Sequence, residues 1–209
     1  MRRFNSHFSR SVALDTLAQV APSLTGAVAD VADTTLTLGR QWRSLHEAAI
    51  RAEGARAAAS GEVDAASALT DDALRRFVWA VVGGRPATVV RALSAQLDGV
   101  SPSEIRGFGP ERKAVLVHRL LVSTEVRPEL AGDASSRAAL TGAVQALDAA
   151  LALRREASQA EAGAHQAAAS AQERYDQAYV DLVRVAEAVN RGPVAWAPKA
   201  ERRREPKAA

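Results

Sequence analysis

Cysteine is absent from the 209 residues, and with it go disulfides, thiolate nucleophiles and sulfur metal sites. Aromatic side chains are scarce at 4%, although hydrophobic residues reach 47%. Much of that apolar fraction is alanine, which lets helix surfaces approach closely and favours long paired helices over a thick globule. No apolar run approaches the roughly 20 residues a spanning helix needs; the strongest is FVWAVV at 77–82. No period-two stretch lies between hairpin turns, so strands are not expected. Phosphate-binding loops, nucleophile elbows and dinucleotide fingerprints are likewise missing. His7, His46, His118 and His165 are far apart and lack metal-pair spacing. The chain therefore reads as non-enzymatic, with no cofactor, no metal and no small-molecule substrate implied.

What is present begins with an uneven charge. Residues 1–10 carry Arg2, Arg3 and Arg10 with no acid, a net +3, and residues 191–209 carry +4; with +3 overall, the body 11–190 is −4. The pI of about 9.8 thus describes two basic ends on a mildly acidic body. At the N-terminus, Asp15 and Gln19 interrupt any apolar stretch long enough for a secretory signal. It reads as the start of a cytoplasmic protein.

The clearest period runs through Leu14, Leu17, Ala21, Leu24, Val28, Val31, Thr35, Leu38, Trp42, Leu45, Ala49 and Ala52, alternating at three and four residues as in a coiled coil. Its phase continues across Pro22, so one long helix is expected over about 12–68, preceded by a basic arm at 1–11. A second long helix is expected over about 135–190. Leu140, Val144, Leu147 and Leu151 form its seam at one end, and Tyr175, Tyr179, Leu182, Ala186 and Val189 at the other. Between them the seam thins to Ala157, Ala160, Ala164, Ala167 and Ala171, in a shifted register. Gly192 and Pro193 are expected to close it. At about 1.5 Å per residue, such a helix spans on the order of 80 Å. Residues 70–130 carry dense start and stop signals: Thr70 as a cap before Asp71 and Asp72, Pro86 at a first helical position, Ser101 and Glu104 as a capping box, and Pro110. The expected fold is all-α. Within one domain over 12–190, a long antiparallel helical hairpin carries a short-helix insert at one end and a basic, extended tail at 191–209.

This arrangement resembles uncharacterised alanine-rich helical-bundle proteins of GC-rich bacteria, a compositional likeness that implies no activity. A more specific likeness lies at 105–116, IRGFGPERKAVL. Ile105, Gly107, Phe108, Gly109 and Pro110 resemble the turn of the helix-hairpin-helix motif, which grips nucleic-acid backbone with its amides. The match slips by one residue, since Lys113 stands where a small residue is usual and the alanine is Ala114. If the resemblance holds, Arg106, Gly107, Gly109, Arg112 and Lys113 are candidate phosphate contacts. The plainer reading, a tight turn with Phe108 plugging the local core, is favoured by the slipped register.

In the tail, Trp196 is a candidate anchor for a groove on a partner, with Arg202, Arg203 and Arg204 beside it; a tail folded back on its own bundle is the open alternative. His165 falls in the alanine seam, where it either fixes register or faces solvent. Three functions remain. The leading one is a structural or assembly protein working through helix–helix and tail contacts, by self-association or in a larger assembly. The second is a sequence-nonspecific nucleic-acid-associated protein using the 105–113 turn and the basic ends. The third is a membrane-surface binder through Phe77 and Trp79, for which a buried core helix is the favoured alternative.

Overall fold

The computed structural model describes residues 6–83, 86–100 and 102–196. Helices account for the regular structure, and no strand occurs among the described residues. The elements are α1 (His7–Val20), a 3-10 turn (Ala21–Ser23), α2 (Ala27–Val82), α3 (Ala87–Gln96), α4 (Pro102–Ile105), α5 (Pro110–Val126), a second 3-10 turn (Pro128–Leu130) and α6 (Ala134–Asn190). The two long helices α2 and α6 pack as an antiparallel hairpin. The chain divides into two compact units, Met1–Arg51 with Glu161–Ala209, and Ala52–Ala160. Both long helices contribute to each.

In the first unit the heptad pattern does not belong to one helix. Pro22 lies in the 3-10 turn, where its missing amide proton and fixed φ suit a chain leaving a helix. Leu24 is extended, and Gly26 adopts φ +58°, a left-handed conformation that costs glycine little. The chain reverses there. Arg43 reaches back to the Ser11 carbonyl, and a Cβ on Gly39 would meet Leu14, so α1 folds against α2. Leu14 and Leu17 still point into the core, at 2% and 0% exposure, but from a separate helix. The expected helix at 12–68 is corrected accordingly, and so is the basic arm at 1–11: α1 starts at His7, capped by Ser6 Oγ accepting from Ser9 N–H at 3.2 Å. Arg10 is buried within it.

The first unit's core joins Leu14 and Leu17 to Val28, Ala32, Leu36 and Trp42 of α2 and to Ala171, Tyr175, Leu182, Val183 and Ala186 of α6. Leu38 and Leu45 are half-buried at its margin, and Val189 is exposed. Of the five alanines expected to continue the α6 seam, Ala171 is buried while Ala160 is exposed. Arg191 takes the left-handed conformation after α6 at φ +50°. Gly192 instead donates its N–H to the Glu187 carbonyl at 3.1 Å, closing the last turn.

In the second unit, α2 runs through the cap signal at 70–72 without a break. Thr70 is fully buried; its hydroxyl lies 2.8 Å from the Ala66 carbonyl of its own helix and 3.3 Å from the Ala143 carbonyl of α6. A threonine mid-helix has this back-bonding alternative to capping, and no glycine or proline follows until Gly83. The short helices therefore begin at Ala87 rather than near residue 70. Pro86 is the residue just before α3. Ser101 lies outside the described residues. α6 opens at Asp133, whose carboxylate accepts from Ser136 N–H at 2.7 Å; this backbone bond holds the Asp133 carboxyl below its usual range. The core gathers Val63, Leu74, Phe77 and Val81 of α2, Leu93 of α3, Leu116, Val117 and Leu120 of α5, and Leu140, Val144 and Leu147 of α6.

Two glycines of the first unit make the close packing testable. A Cβ on Gly39 would sit 2.5 Å from Leu14 Cδ1 and 2.9 Å from Tyr175 Cε2, whereas one on Gly163 would meet nothing within 4 Å. Gly39→Ala is expected to destabilise by about 1–3 kcal/mol through overpacking, against a helix-propensity gain of at most about 1 kcal/mol. Gly163→Ala should stabilise by about 0.5–1 kcal/mol. Chemical denaturation of both variants checks the opposite signs; a stabilising Gly39→Ala contradicts the packing.

Candidate functional site

The 105–113 turn is placed clearly. Ile105 is fully buried. Gly107 N–H donates to the Glu104 carbonyl and Phe108 N–H to the Ile105 carbonyl, both at 3.0 Å, so two amides of the turn are consumed within it. Gly109 precedes α5 and accepts from Lys113 N–H at 3.1 Å. Phe108 packs half-buried against the second unit's core, with the Arg112 guanidinium 3.9 Å above its ring, a cation–π arrangement. Arg106 and Arg112 are exposed. Lys113 is not: at 2% exposure its ammonium donates to Asp71 Oδ2 and to Ser67 Oγ, each at 2.8 Å. As a candidate phosphate contact Lys113 is therefore corrected. It points into the core because it falls on the same face of α5 as Leu116, Val117 and Leu120.

A serine beside a lysine invites comparison with a nucleophile and its base. Here the ammonium donates to both partners, so it offers Ser67 no proton acceptor. Asp71 Oδ1 is buried without a hydrogen-bond partner, which adds to the cost of the arrangement. Its role is to tie α5 to α2.

The larger constellation lies in the first unit and was not visible along the chain. His7 of α1 stacks on His46 of α2, ring centroids 3.9 Å apart. His7 also tilts against Trp42 at 4.9 Å. Trp42 stacks on Tyr175 at 5.7 Å with planes 8° apart, Tyr175 meets Tyr179 edge-on at 6.0 Å, and Tyr179 meets Trp196 edge-on at 6.4 Å. These separations are those of favourable aromatic pairs. Around the array, Arg10 Nε and Nη2 donate to Asp176 Oδ1 and Oδ2 at 2.8 and 2.7 Å, and Arg43 donates to Asp15 Oδ1 at 2.6 Å. The Tyr175 hydroxyl, 3.4 Å from the Arg10 carbonyl, is pushed well above its usual range by burial, reinforced by Tyr179 and Asp176. His7 is held below its ordinary 6.5 by desolvation of its ring first, and then by His46, Arg10 and Arg43.

Trp196 thus lies half-buried against Tyr179 and the core of its own unit, together with Val194. The expectation of an anchor held out for a partner is corrected to a tail folded back. Arg202, Arg203 and Arg204 lie outside the described residues. Elsewhere, His118 pairs with Asp148 at 2.6 Å, and His165 is exposed on α6. Among the described residues, no three His, Cys, Asp or Glu side chains gather closely enough to hold a metal ion.

The histidine pair had one usable signal. Residues 7 and 46, 11 and 43, and 14 and 39, which meet across α1 and α2, are each centred within one residue of Gly26. Reading Pro22 and Gly26 as a reversal would have brought the two histidines together. Compared with protein families, curated proteins and solved structures, the chain matches none.

The buried pair yields a direct test. Lys113→Ala should destabilise by about 3 kcal/mol, because it strands Asp71 in the core. Lys113→Met combined with Asp71→Leu should recover most of that loss. Denaturant midpoints measure both, and a loss below about 0.5 kcal/mol for the single variant would place the lysine in solvent.

Proposed function

We propose that the protein is a non-enzymatic assembly protein that acts through helix–helix contacts, and that α5 provides a self-association face. The observation carrying this reading is the outer side of α5. Val115, Val122 and Val126 are 58%, 62% and 78% exposed, and Arg112 and Arg119 are exposed with them. The spacing of seven and then four residues puts the three valines on one stripe of the helix, on the side away from its buried Leu116, Val117 and Leu120. An apolar stripe bordered by charge is the pattern by which one helix docks on another. Trp79, 73% exposed, and Leu69, 62% exposed, leave α2 with uncovered apolar surface in the same unit. Among the described residues no helix is long and apolar enough to cross a membrane.

Light scattering over roughly 1–100 μM protein, the range in which such modest interfaces assemble, tests the reading. The wild-type chain is expected to self-associate, and Val122→Glu with Val126→Glu to reduce it to a monomer with unchanged helicity. A wild-type chain that stays monomeric throughout overturns it. Nucleic-acid association, which rests on the 105–113 turn and the basic termini, loses the contact expected of Lys113, which is buried; steep salt-dependent duplex binding by the monomer would favour it instead.

A further inference from the structure

The association of α1 with the hairpin concentrates like charge at one point. His7 lies on His46 at 3.9 Å. The groups that bear on it are Arg10 from its own helix, Arg43 and His46 from α2, and, from α6, Asp176 and Tyr175. Asp176 is already engaged by both nitrogens of the Arg10 fork, and Asp15 is engaged by Arg43. A proton arriving on His7 therefore meets Arg10, Arg43 and the stacked His46 ring. The hinge for a response is present too: α1 is joined to α2 through the 3-10 turn Ala21–Ser23 and Gly26 at φ +58°. Beneath α1 lie Trp42 and Tyr175, both essentially buried.

We propose that α1 is a proton-sensitive clasp: with His7 neutral, its stack on His46 helps to hold α1 on α2 and α6, and proton uptake by His7 loosens α1 about the Gly26 turn, uncovering Trp42 and Tyr175. The direction follows from linkage. The released helix takes up a proton at the ordinary histidine value of 6.5, whereas the clasped helix resists it to lower pH. The clasp is thus at full strength above that value and weakens as pH falls below it. The inference does not depend on α5 or on self-association.

The absence of native cysteine permits a clean readout. Ala13→Cys places a thiol on the buried side of α1, and Ala150→Cys places one in the second unit's core, at sites 4% and 6% exposed. Each single-cysteine full-length chain is labelled with a dithiodipyridine, and the ratio of the two rates removes the intrinsic effect of pH on the thiol. Between about pH 7.5 and 5.5 the ratio of Ala13→Cys to Ala150→Cys labelling should rise, with about tenfold as the ceiling that applies when the closed form takes up no proton in that range. In a His7→Gln, His46→Gln background it should stay nearly flat. A flat ratio in the wild-type background overturns the proposal, and so does a rise that persists without the histidines. Should the double variant label rapidly at neutral pH, the single His46→Gln decides: a midpoint moved to lower pH supports the clasp, and an unmoved midpoint overturns it.

Discussion

Two buried threonine hydroxyls carry the register of the hairpin. Thr35 lies 2.8 Å from the Val31 carbonyl and 3.3 Å from the Ala178 carbonyl; Thr70 stands at the same two distances from Ala66 and Ala143. Both are fully buried. From Thr35 to Thr70 the chain advances 35 residues along α2, and from Ala178 to Ala143 it retreats 35 along α6. Large side chains such as Trp42 and Tyr175 in the first unit and Phe77 and Leu147 in the second resist sliding by a turn through packing, and the threonines add a polar constraint. Each hydroxyl shares its single proton between the nearer carbonyl of its own helix and the α6 carbonyl, so a slip keeps the first bond and forfeits the second, which penalises it.

The first unit adds α1 to the pair and the second adds α3, α4 and α5; in each, a buried cation fastens one added helix. In the first, Arg10 of α1 forks onto Asp176 of α6; in the second, Lys113 of α5 reaches Asp71 and Ser67 of α2. Such pairs contribute little net stability over an apolar substitute, but an orphaned partner is costly. They therefore act by excluding other placements of α1 and α5. The aromatic array of His7, His46, Trp42, Tyr175, Tyr179 and Trp196 does the bulk packing of the first unit, where a chain with 4% aromatics has gathered several of its few large side chains.

The all-helical class and the extent of α6 were legible because they rest on local signals: three-and-four periodicity, and Gly-Pro after the last helix. Positions such as Val28, Trp42, Leu140 and Leu147 were rightly placed inside. What misled was continuity. The heptad phase crosses Pro22 by coincidence of spacing, and the reversal at Gly26 depends on a backbone conformation that periodicity does not register. At Thr70 the opposite occurred: a sound local cap signal gave way to a back-bond to Ala66 of the same helix, with the Ala143 carbonyl of α6, 73 residues away, beside it. Lys113 and Arg10 looked like surface charges because burial of a cation depends on a carboxylate that only the tertiary fold supplies. The histidine stack was hidden because it joins two helices across a reversal, whereas the folded-back Trp196 was one of the two tail readings left open.

The central claim is that the threonine hydroxyls, rather than their methyl groups, hold α2 and α6 in register. Thr35→Val and Thr70→Val keep the shape and remove the donor, whereas the corresponding serine variants keep the donor. Chemical denaturation of the full chain, followed at both sites, should show a loss of about 1 kcal/mol for each valine, the usual worth of a buried hydrogen bond. The serine variants should lose less than the valines. Valine variants as stable as the wild-type chain, with the serine variants the weaker, would contradict the account and assign the register to side-chain packing alone.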